Sequence, residues 1–394
     1  MKYLRLPLFV LTLILAPVWA SGQETGSVVA EAAPGITVMR VTAVQGADMT
    51  YVGLLEQLKQ NIQNRSHGEI QVELLTGGAG GGEFEALRDQ IRGHVEGGWI
   101  SAMTLAQSLK AFRALTLPLV FNDNDQLRQF IGSPLDKTIR ATSVAKNLLI
   151  LGYGSFGYYG IMLFEPGSPP NGQSHDDALA MMKDRTVRVP EEEWLESVQA
   201  VLPGKLVRVP GVDLKKAVDS GWVKGLLTTP ELIANKEWML QASHFLNLRH
   251  LHAWTVFSVN RTWLASLPGH LQDVVQAEVQ AMCDQALQMG LARHDALVAK
   301  WYETRHPQVV QASWDEMAAS MNPLVLETAS QLDGMLGSSG RVKALWEANY
   351  QTIKPPGRPT RNRGASPLIG KATNQRREMA RAMIMNRIDG PEWP

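Results

Sequence analysis

The residue that most directly suggests chemistry is an arginine inside an apolar stretch. Arg188 lies in the sequence TVRVP, between Val187 and Val189. Because burying an unpaired guanidinium is costly, an arginine in a strand fit for burial requires an anionic partner. Its planar fork can hold a carboxylate through two parallel hydrogen bonds. Two interpretations stay open from the residues alone: Arg188 binds a carboxylate ligand, or it forms an internal salt bridge.

A glycine-rich segment at 77–87, GGAGGGEFEAL, raises the question of a phosphate-binding loop at the start of a helix. The segment lacks the Gly-Lys-Ser/Thr ending of a P-loop, and its spacing fits a dinucleotide-binding fingerprint poorly. We therefore predict a tight turn beside a ligand cleft.

The remaining candidates for catalysis or metal binding are isolated. His250 and His252 could chelate a metal only with ligands from elsewhere in the chain, and neither a nucleophile elbow nor an HExxH motif is present. The acidic run at 191–193 is explained by its place at a helix start. Cys283, the single cysteine, is expected to be a small buried hydrophobic residue. The sequence therefore predicts no enzyme, no metal site and no cofactor.

The first twenty residues have the parts of a secretory signal peptide. Lys2 and Arg5 precede an apolar stretch at 6–16, and Val18 to Ala20 match the small residues that favour cleavage. This apolar stretch is shorter than the roughly 20 residues of a comfortable membrane span, although an uncleaved anchor is the alternative. Export without disulfide bonds is typical of a bacterial periplasmic protein.

Composition narrows the class of partner. The chain has 394 residues, of which 45% are hydrophobic and 19% charged, and Lys plus Arg equals Asp plus Glu at 38 each. A chain of this length can form two or three domains with real cores. The balanced charge gives no global field that would favour nucleic acid, and we expect no nucleic-acid partner.

Hydrophobic periodicity predicts alternating strands and helices, which is typical of a parallel, doubly wound α/β sheet. Such sheets bind ligands at the carboxyl ends of their strands. The predicted strands are 36–44, 70–75, 148–153, 159–163, 185–189 and 205–209. The predicted helices are 50–64, 83–92, 191–201, a long one at 267–304 and another around 314–336.

Five sequence motifs, in order, resemble the periplasmic solute-binding proteins of TRAP transporters, the DctP-like family, over roughly 36–301. They are RSHGEIQVELLTGGAGGGEFEALRDQIRGHVE, ALTLPLVFNDNDQLRQF, MMKDRTVRVP, VDLKKAVDSGWVKG and FSVNRTWLASLP. In this family the arginine of the third motif, here Arg188, grips a substrate carboxylate.

The resemblance implies a two-lobed α/β binding protein with hinge-crossing strands and a long bracing helix. We expect lobe I at 36–155 plus about 241–290, and lobe II with the bracing helices at 156–240 plus about 291–350. It also implies capture of a small organic acid in the periplasm and delivery to the membrane permease subunits of a sodium-coupled transporter. Closure around ligand would follow hinge motion.

The chain departs from the family at positions that face the ligand in relatives. Tyr159 stands where members that bind sialic acid or dicarboxylates have a second arginine, Thr228 stands where an asparagine contacts ligand, and Ser101 occupies a position that can be acidic or polar. Losing one cation favours a monocarboxylate with an apolar body. Gln45 and Trp254 are further expected pocket residues from strand-end position alone, although Trp254 also fits a core position.

The segment 355–394 differs in composition from the rest of the chain. Its first part is rich in Pro, Arg and Gly and is predicted to be a flexible linker, and 373–388 is predicted to be a short basic helix. This tail would contact a further protein or the membrane surface, or fold as a solvated appendage. Two other functions stay open: a periplasmic scaffold with a hydrophobic or lipid-like ligand, and a periplasmic enzyme on the same fold.

Overall fold

The structure, a computed structural model, describes residues 35–44, 51–121, 124–164, 175–189, 202, 204–209, 213–311 and 314–353. Within these ranges no helix is both long enough and apolar enough to span a membrane. The predicted signal peptide at 1–20, the predicted helix at 191–201, Gln45 and the basic tail at 355–394 lie outside the described residues.

The strands form two mixed sheets. They are β1 (Thr37–Ala43), β2 (Ile70–Leu75), β3 (Gly97–Ser101), β4 (Leu148–Tyr158), β5 (Gly160–Leu163), β6 (Thr186–Val189), β7 (Lys205–Arg208), β8 (Gly225–Thr228), β9 (His244–Asn247), β10 (His252–Asn260) and β11 (Gln308–Gln311). The first sheet has the order β2-β1-β3-β10-β4, and the second has the order β11-β9-β5-β8-β6-β7.

The expectation of purely parallel sheets is wrong. In the first sheet β1, β2 and β3 run parallel, but β10 is antiparallel to both of its neighbours, β3 and β4. In the second sheet β5 is antiparallel to β8 and β9. The reason is that each sheet receives one strand that arrives directly from the other sheet, and such a strand enters from the edge at which the parallel strands end.

Helices cover the sheets and match most of the predicted spans. They are α1 (Val52–Arg65), α2 (Glu83–Arg92), α3 (Ala102–Ser108), α4 (Asn124–Phe130), α5 (Pro134–Thr142), α6 (His175–Ala180), α7 (Leu214–Asp219), α8 (Pro230–Ile233), α9 (Arg261–Ser266), α10 (Gly269–Thr304), α11 (Trp314–Leu336) and α12 (Arg341–Ile353). Cys283 lies buried in α10 as predicted, and burial raises the pKa of its thiol.

The chain passes between the sheets at two adjacent points. β4 ends at Tyr158 in the first sheet and β5 begins at Gly160 in the second, so Tyr159 is the link. The second passage, from β9 back to β10, runs through residues 248–251. The two links are joined because the backbone N–H of Tyr159 donates to the carbonyl oxygen of Leu251 at 2.9 Å.

Helix α10 braces both sheets along its length. On α1, Asn61 donates to the Glu278 carboxylate at 2.8 Å, and Arg65 forms an ion pair with the same carboxylate. About four turns later Arg293 pairs with Glu231 of α8 at 2.5 Å. One helix is therefore tied to elements beside each sheet, which is the bracing role that the sequence predicted. The proposed lobe boundaries remain a prediction, and β9, at 244–247, pairs within the second sheet.

Candidate functional site

The candidate site lies where the strand ends of both sheets meet the crossing links. In the first sheet β1 and β3 end at the edge where β10 begins, since Ser101 at the end of β3 pairs with Thr255 near the start of β10. In the second sheet β8 ends where β5 begins, with Thr228 opposite Gly160. Carboxyl ends of parallel strands are the usual ligand-binding edge of open α/β sheets.

Arg188 reaches this edge from β6. Its neighbours Val187 and Val189 are buried, whereas Arg188 itself is half-buried and pairs with Leu226 of β8. Its Nε donates to the carbonyl oxygen of Val209 at 2.9 Å. This hydrogen bond orients the guanidinium, whose planar group of donors matches the geometry of a carboxylate.

Tyr159 is buried between charges of opposite sign. Only 4% of its surface is exposed. Burial raises the pKa of Tyr159 well above its usual value, the Glu83 carboxylate raises it further, and the Arg188 guanidinium lowers it. The hydroxyl therefore stays protonated. It interacts electrostatically with the Glu83 carboxylate on the side of the first sheet and with the Arg188 guanidinium on the side of the second. At this position the chain therefore supplies a neutral hydroxyl.

Ser101 and Glu83 form a polar cluster on the side of the first sheet. Ser101 caps α3, accepting from the Thr104 backbone N–H at 3.1 Å, and its own hydroxyl donates to Glu83 at 2.5 Å. The Thr104 hydroxyl donates to the same Glu83 oxygen. All three side chains are buried. The Glu83 carboxylate therefore lies next to Ser101, at the position that the sequence predicted to face the cleft.

Sequence reasoning missed Glu83 as a site residue. An acid in the first turn of a helix is already explained by the helix dipole, so nothing in the local pattern marks it. The one available signal is its place directly after the glycine run. That run forms a tight turn, with Gly78 and Gly81 at positive φ. A Cβ added at Gly80 would lie 2.8 Å from Thr42 Cγ2, so the turn closes tightly over the end of β1.

The two other predicted site residues that the structure describes are Thr228 and Trp254. Thr228 is buried at the end of β8, and its hydroxyl donates to the carbonyl oxygen of Thr229 at 3.3 Å. Trp254 lies in a core cluster, with its ring centroid 5.0 Å from Phe121 and 5.4 Å from Tyr153. Aromatic neighbours surround the indole, and the expected contact of Trp254 with ligand stays a prediction. Among the described residues no group of His, Cys, Asp and Glu is arranged to hold a metal ion.

Comparison with solved structures gives the same architecture. A TRAP periplasmic solute-binding protein from Ochrobactrum anthropi, with its C-terminus bound in the ligand-binding pocket, is 17% identical, with a TM-score of 0.68 over 80% of this chain and 97% of its own. One from Xanthobacter autotrophicus, with bound β-D-galacturonate, is 17% identical, with a TM-score of 0.66 over 79% and 99%. A Bordetella pertussis solute receptor that binds pyroglutamic acid is 13% identical, with a TM-score of 0.67 over 79% and 99%.

At these identities the likeness establishes the fold. No curated protein matches the chain in sequence. The family model for DctP, described as bacterial extracellular solute-binding protein, family 7, matches residues 41–331, which is most of the chain. That range includes the strand ends, the crossing links and the bracing helix. The chain therefore belongs to the DctP family of bacterial extracellular solute-binding proteins, the receptors of TRAP transporters.

Proposed function

We propose that this protein is the periplasmic receptor of a sodium-coupled TRAP transporter, which captures one small organic acid and delivers it to the membrane permease subunits. It acts as a binding protein and not as an enzyme. The observation that carries the proposal is the placement of Arg188 on β6, oriented by the Val209 carbonyl oxygen, beside the Tyr159 link between the sheets. A cation at the strand-end edge supplies the group that a carboxylate needs.

We infer that the ligand is a hydroxylated acid of the sugar-acid kind, which revises the sequence-based expectation of an apolar body. The groups around the edge are polar: Tyr159 and Thr228 bear hydroxyls, and Ser101 lies against the buried Glu83 carboxylate. Trp254, the candidate for an apolar wall, belongs to the core. Related structures with this fold hold galacturonate, glucuronate and galactonate.

The test is a binding series that varies one ligand group at a time. The ligands are D-galacturonate, D-glucuronate, D-galactonate and pyroglutamate, with D-galactose as the control that lacks the carboxylate and hexanoate as the apolar acid. Thermal melting screens the panel, and calorimetry measures affinity. A ligand at one hundred times its Kd stabilises the folded state by about 2.7 kcal/mol, which shifts the melting temperature measurably. We expect a sugar acid to bind and D-galactose not to.

Arg188→Ala is compared with Arg208→Ala, which removes the same charge from an exposed position on the neighbouring strand β7. Loss of a charged hydrogen-bond partner costs about 1.5–3 kcal/mol, so Arg188→Ala should weaken binding roughly 10- to 150-fold while Arg208→Ala leaves it nearly unchanged. Equal effects from both variants would refute the assigned role of Arg188. Binding of hexanoate with no response to sugar acids would restore the apolar ligand, and a flat panel would favour the scaffold function.

A further inference from the structure

A buried pair of histidines lies where the two crossing links meet the bracing helix. His252 begins β10, directly after the link at 248–251, and His294 lies on α10. Their exposed fractions are 4% and 0%. Tyr158, the last residue of β4, packs edge-on against both rings, at 5.2 Å from His252 and 5.5 Å from His294. The end of β4, the start of β10 and the bracing helix therefore share one side-chain cluster.

Each ring makes one hydrogen bond and has one nitrogen without a partner. His252 Nε2 lies 2.8 Å from the Ser155 hydroxyl, which itself accepts from the Gly157 N–H at 2.9 Å. His294 Nδ1 accepts from the Tyr158 backbone N–H at 3.2 Å, so this nitrogen carries no proton. His252 Nδ1 and His294 Nε2 are buried and have no hydrogen-bond partner. A rearrangement that admitted water would satisfy both nitrogens.

The electrostatic surroundings hold both rings neutral. Burial, together with the neighbouring His294 and Arg249, lowers the pKa of His252 to about 3. Burial likewise lowers the pKa of His294 to about 3, with Arg249 lowering it and Asp295 raising it. Arg249 pairs with Asp295 at 2.8 Å and lies 4.3 Å over the Tyr158 ring. Among the residues that the structure describes, Arg249 and Asp295 are the charged groups that shift the pKa of the pair.

The backbone beside the pair leaves no room for independent movement. Gly157 has φ +81°, and a Cβ added there would lie 2.5 Å from His294 Cβ. Two residues later, the Tyr159 N–H holds the other link through Leu251. Any bend at 157–159 must therefore change the surroundings of His294.

We propose that His252 and His294, the hinge histidines, couple opening of the cleft to proton uptake. The conformation seen here, in which charges from both sides act on the buried Tyr159, keeps the pair buried and neutral. Opening admits water, and the rings then take up protons at their ordinary pKa of about 6.5. Acid thus favours the open form and weakens ligand retention. The statement about ligand retention rests on the proposed receptor function.

Linkage gives the expected size of the effect. If the open form binds one more proton than the closed form, the ratio of open to closed rises about tenfold for each pH unit below about 6.5. Two additional protons give up to about one hundredfold. Exposed histidines bind protons equally in both forms and therefore do not change the ratio of open to closed form.

A distance measurement on the ligand-free protein tests this inference separately from ligand binding. Spin labels are attached at Glu73→Cys on β2 and Lys205→Cys on β7, both exposed and on the outer strand of their sheet. The native Cys283 is buried and should not react. The distribution of label distances is recorded from pH 7.5 to 5.0. We expect a longer-distance population to grow about tenfold per pH unit below 6.5.

The key variant replaces each ring with an amide that keeps its observed hydrogen bond. His252→Gln places a polar atom at the Nε2 position, and His294→Asn places an acceptor at the Nδ1 position. This double variant should show no pH dependence. The control His270→Gln, at an exposed position on the same helix, should behave as the wild type does. An unchanged wild-type distance, or a pH response retained in the double variant, would overturn the inference.

If the double variant does not fold, NMR titration of ¹³C-labelled histidine in the wild type decides. The two hinge resonances should titrate together with the change in label distance. Titration without a distance change, or a distance change while both stay neutral, contradicts the coupling. Failure of every acid in the binding panel would remove the proposed ligand class but leave this result standing.

Discussion

Gly290 of the bracing helix packs directly against the backbone of β4, and substituting it should loosen this contact. A Cβ added at Gly290 would lie 2.0 Å from the Ser155 carbonyl oxygen and 2.6 Å from its carbonyl carbon. Ordinary contacts of this kind are 3.4–4 Å. Because the obstructing atoms are backbone, no side-chain rotation relieves the clash. Gly290→Ala must therefore push α10 away from β4.

Two opposing terms decide the sign of the effect. Alanine is favoured over glycine inside a helix by about 0.8–1 kcal/mol. Overpacking a close contact typically costs about 1–3 kcal/mol and sometimes more. With backbone against backbone and a displacement of more than 1 Å needed, we expect the upper part of that range to apply. The net prediction is a loss of roughly 1–2 kcal/mol or more in the free energy of unfolding.

Denaturant unfolding measures this loss as a lower midpoint at an unchanged slope. The matched control is Gly334→Ala in α11, where an added Cβ meets nothing within 4 Å. There only the helix preference acts, so we expect stabilisation of about 0.5–1 kcal/mol. If Gly290→Ala is also neutral or stabilising, the close packing of α10 on β4 is refuted. The same variant should change ligand affinity, because Ser155 is the hydrogen-bond partner of His252.

Three further outcomes are expected. Asp333→Ala should lower stability by about 1–2 kcal/mol, because its carboxylate accepts from two backbone N–H groups at the start of α12, and urea unfolding measures this. The free energy of the closed form relative to the unfolded chain should become less favourable as pH drops from about 6.5 toward 3, by about 1.4 kcal/mol per pH unit for each of His252 and His294, because the unfolded chain binds those protons and the closed form does not; denaturant midpoints measured with saturating ligand that stay constant over this range would contradict it. Tyr159→Phe should weaken the binding of the acid found in the panel about 2- to 10-fold by calorimetry, with the exposed Tyr302→Phe as a neutral control.

Local periodicity was enough to predict the longest helices and about half of the strands. The strand at 70–75 and the helix at 83–92 agree residue for residue with the structure, and the long helix begins two residues after its predicted start. Alternation with period 2 and apolar spacing near 3.6 are properties of neighbouring residues, so they are visible before folding. The local sequence also marked Arg188 as a candidate anion-binding residue. Burying an unpaired guanidinium between two valines costs free energy in any strand.

Pairing between distant segments was not visible in the sequence. β10 lies antiparallel between β3 and β4, and this arrangement depends on a chain that leaves the second sheet and returns. The core position of Trp254 follows from the same pairing. A strand-end residue can face a cleft or the core, and only its neighbours in the adjacent strand decide which.

The sequence by itself therefore determined the family, the longest elements and the presence of an arginine between apolar residues, since each depends on a short stretch of chain. Tertiary structure alone decided which distant groups meet. It brings Glu83 to Ser101, sets Tyr159 between Glu83 and Arg188, and buries His252 beside His294. The pKa of a side chain depends on burial and on charges contributed by other segments, and so does its availability to a ligand. No local pattern encodes those quantities, because they arise only when the two sheets and the bracing helix come together.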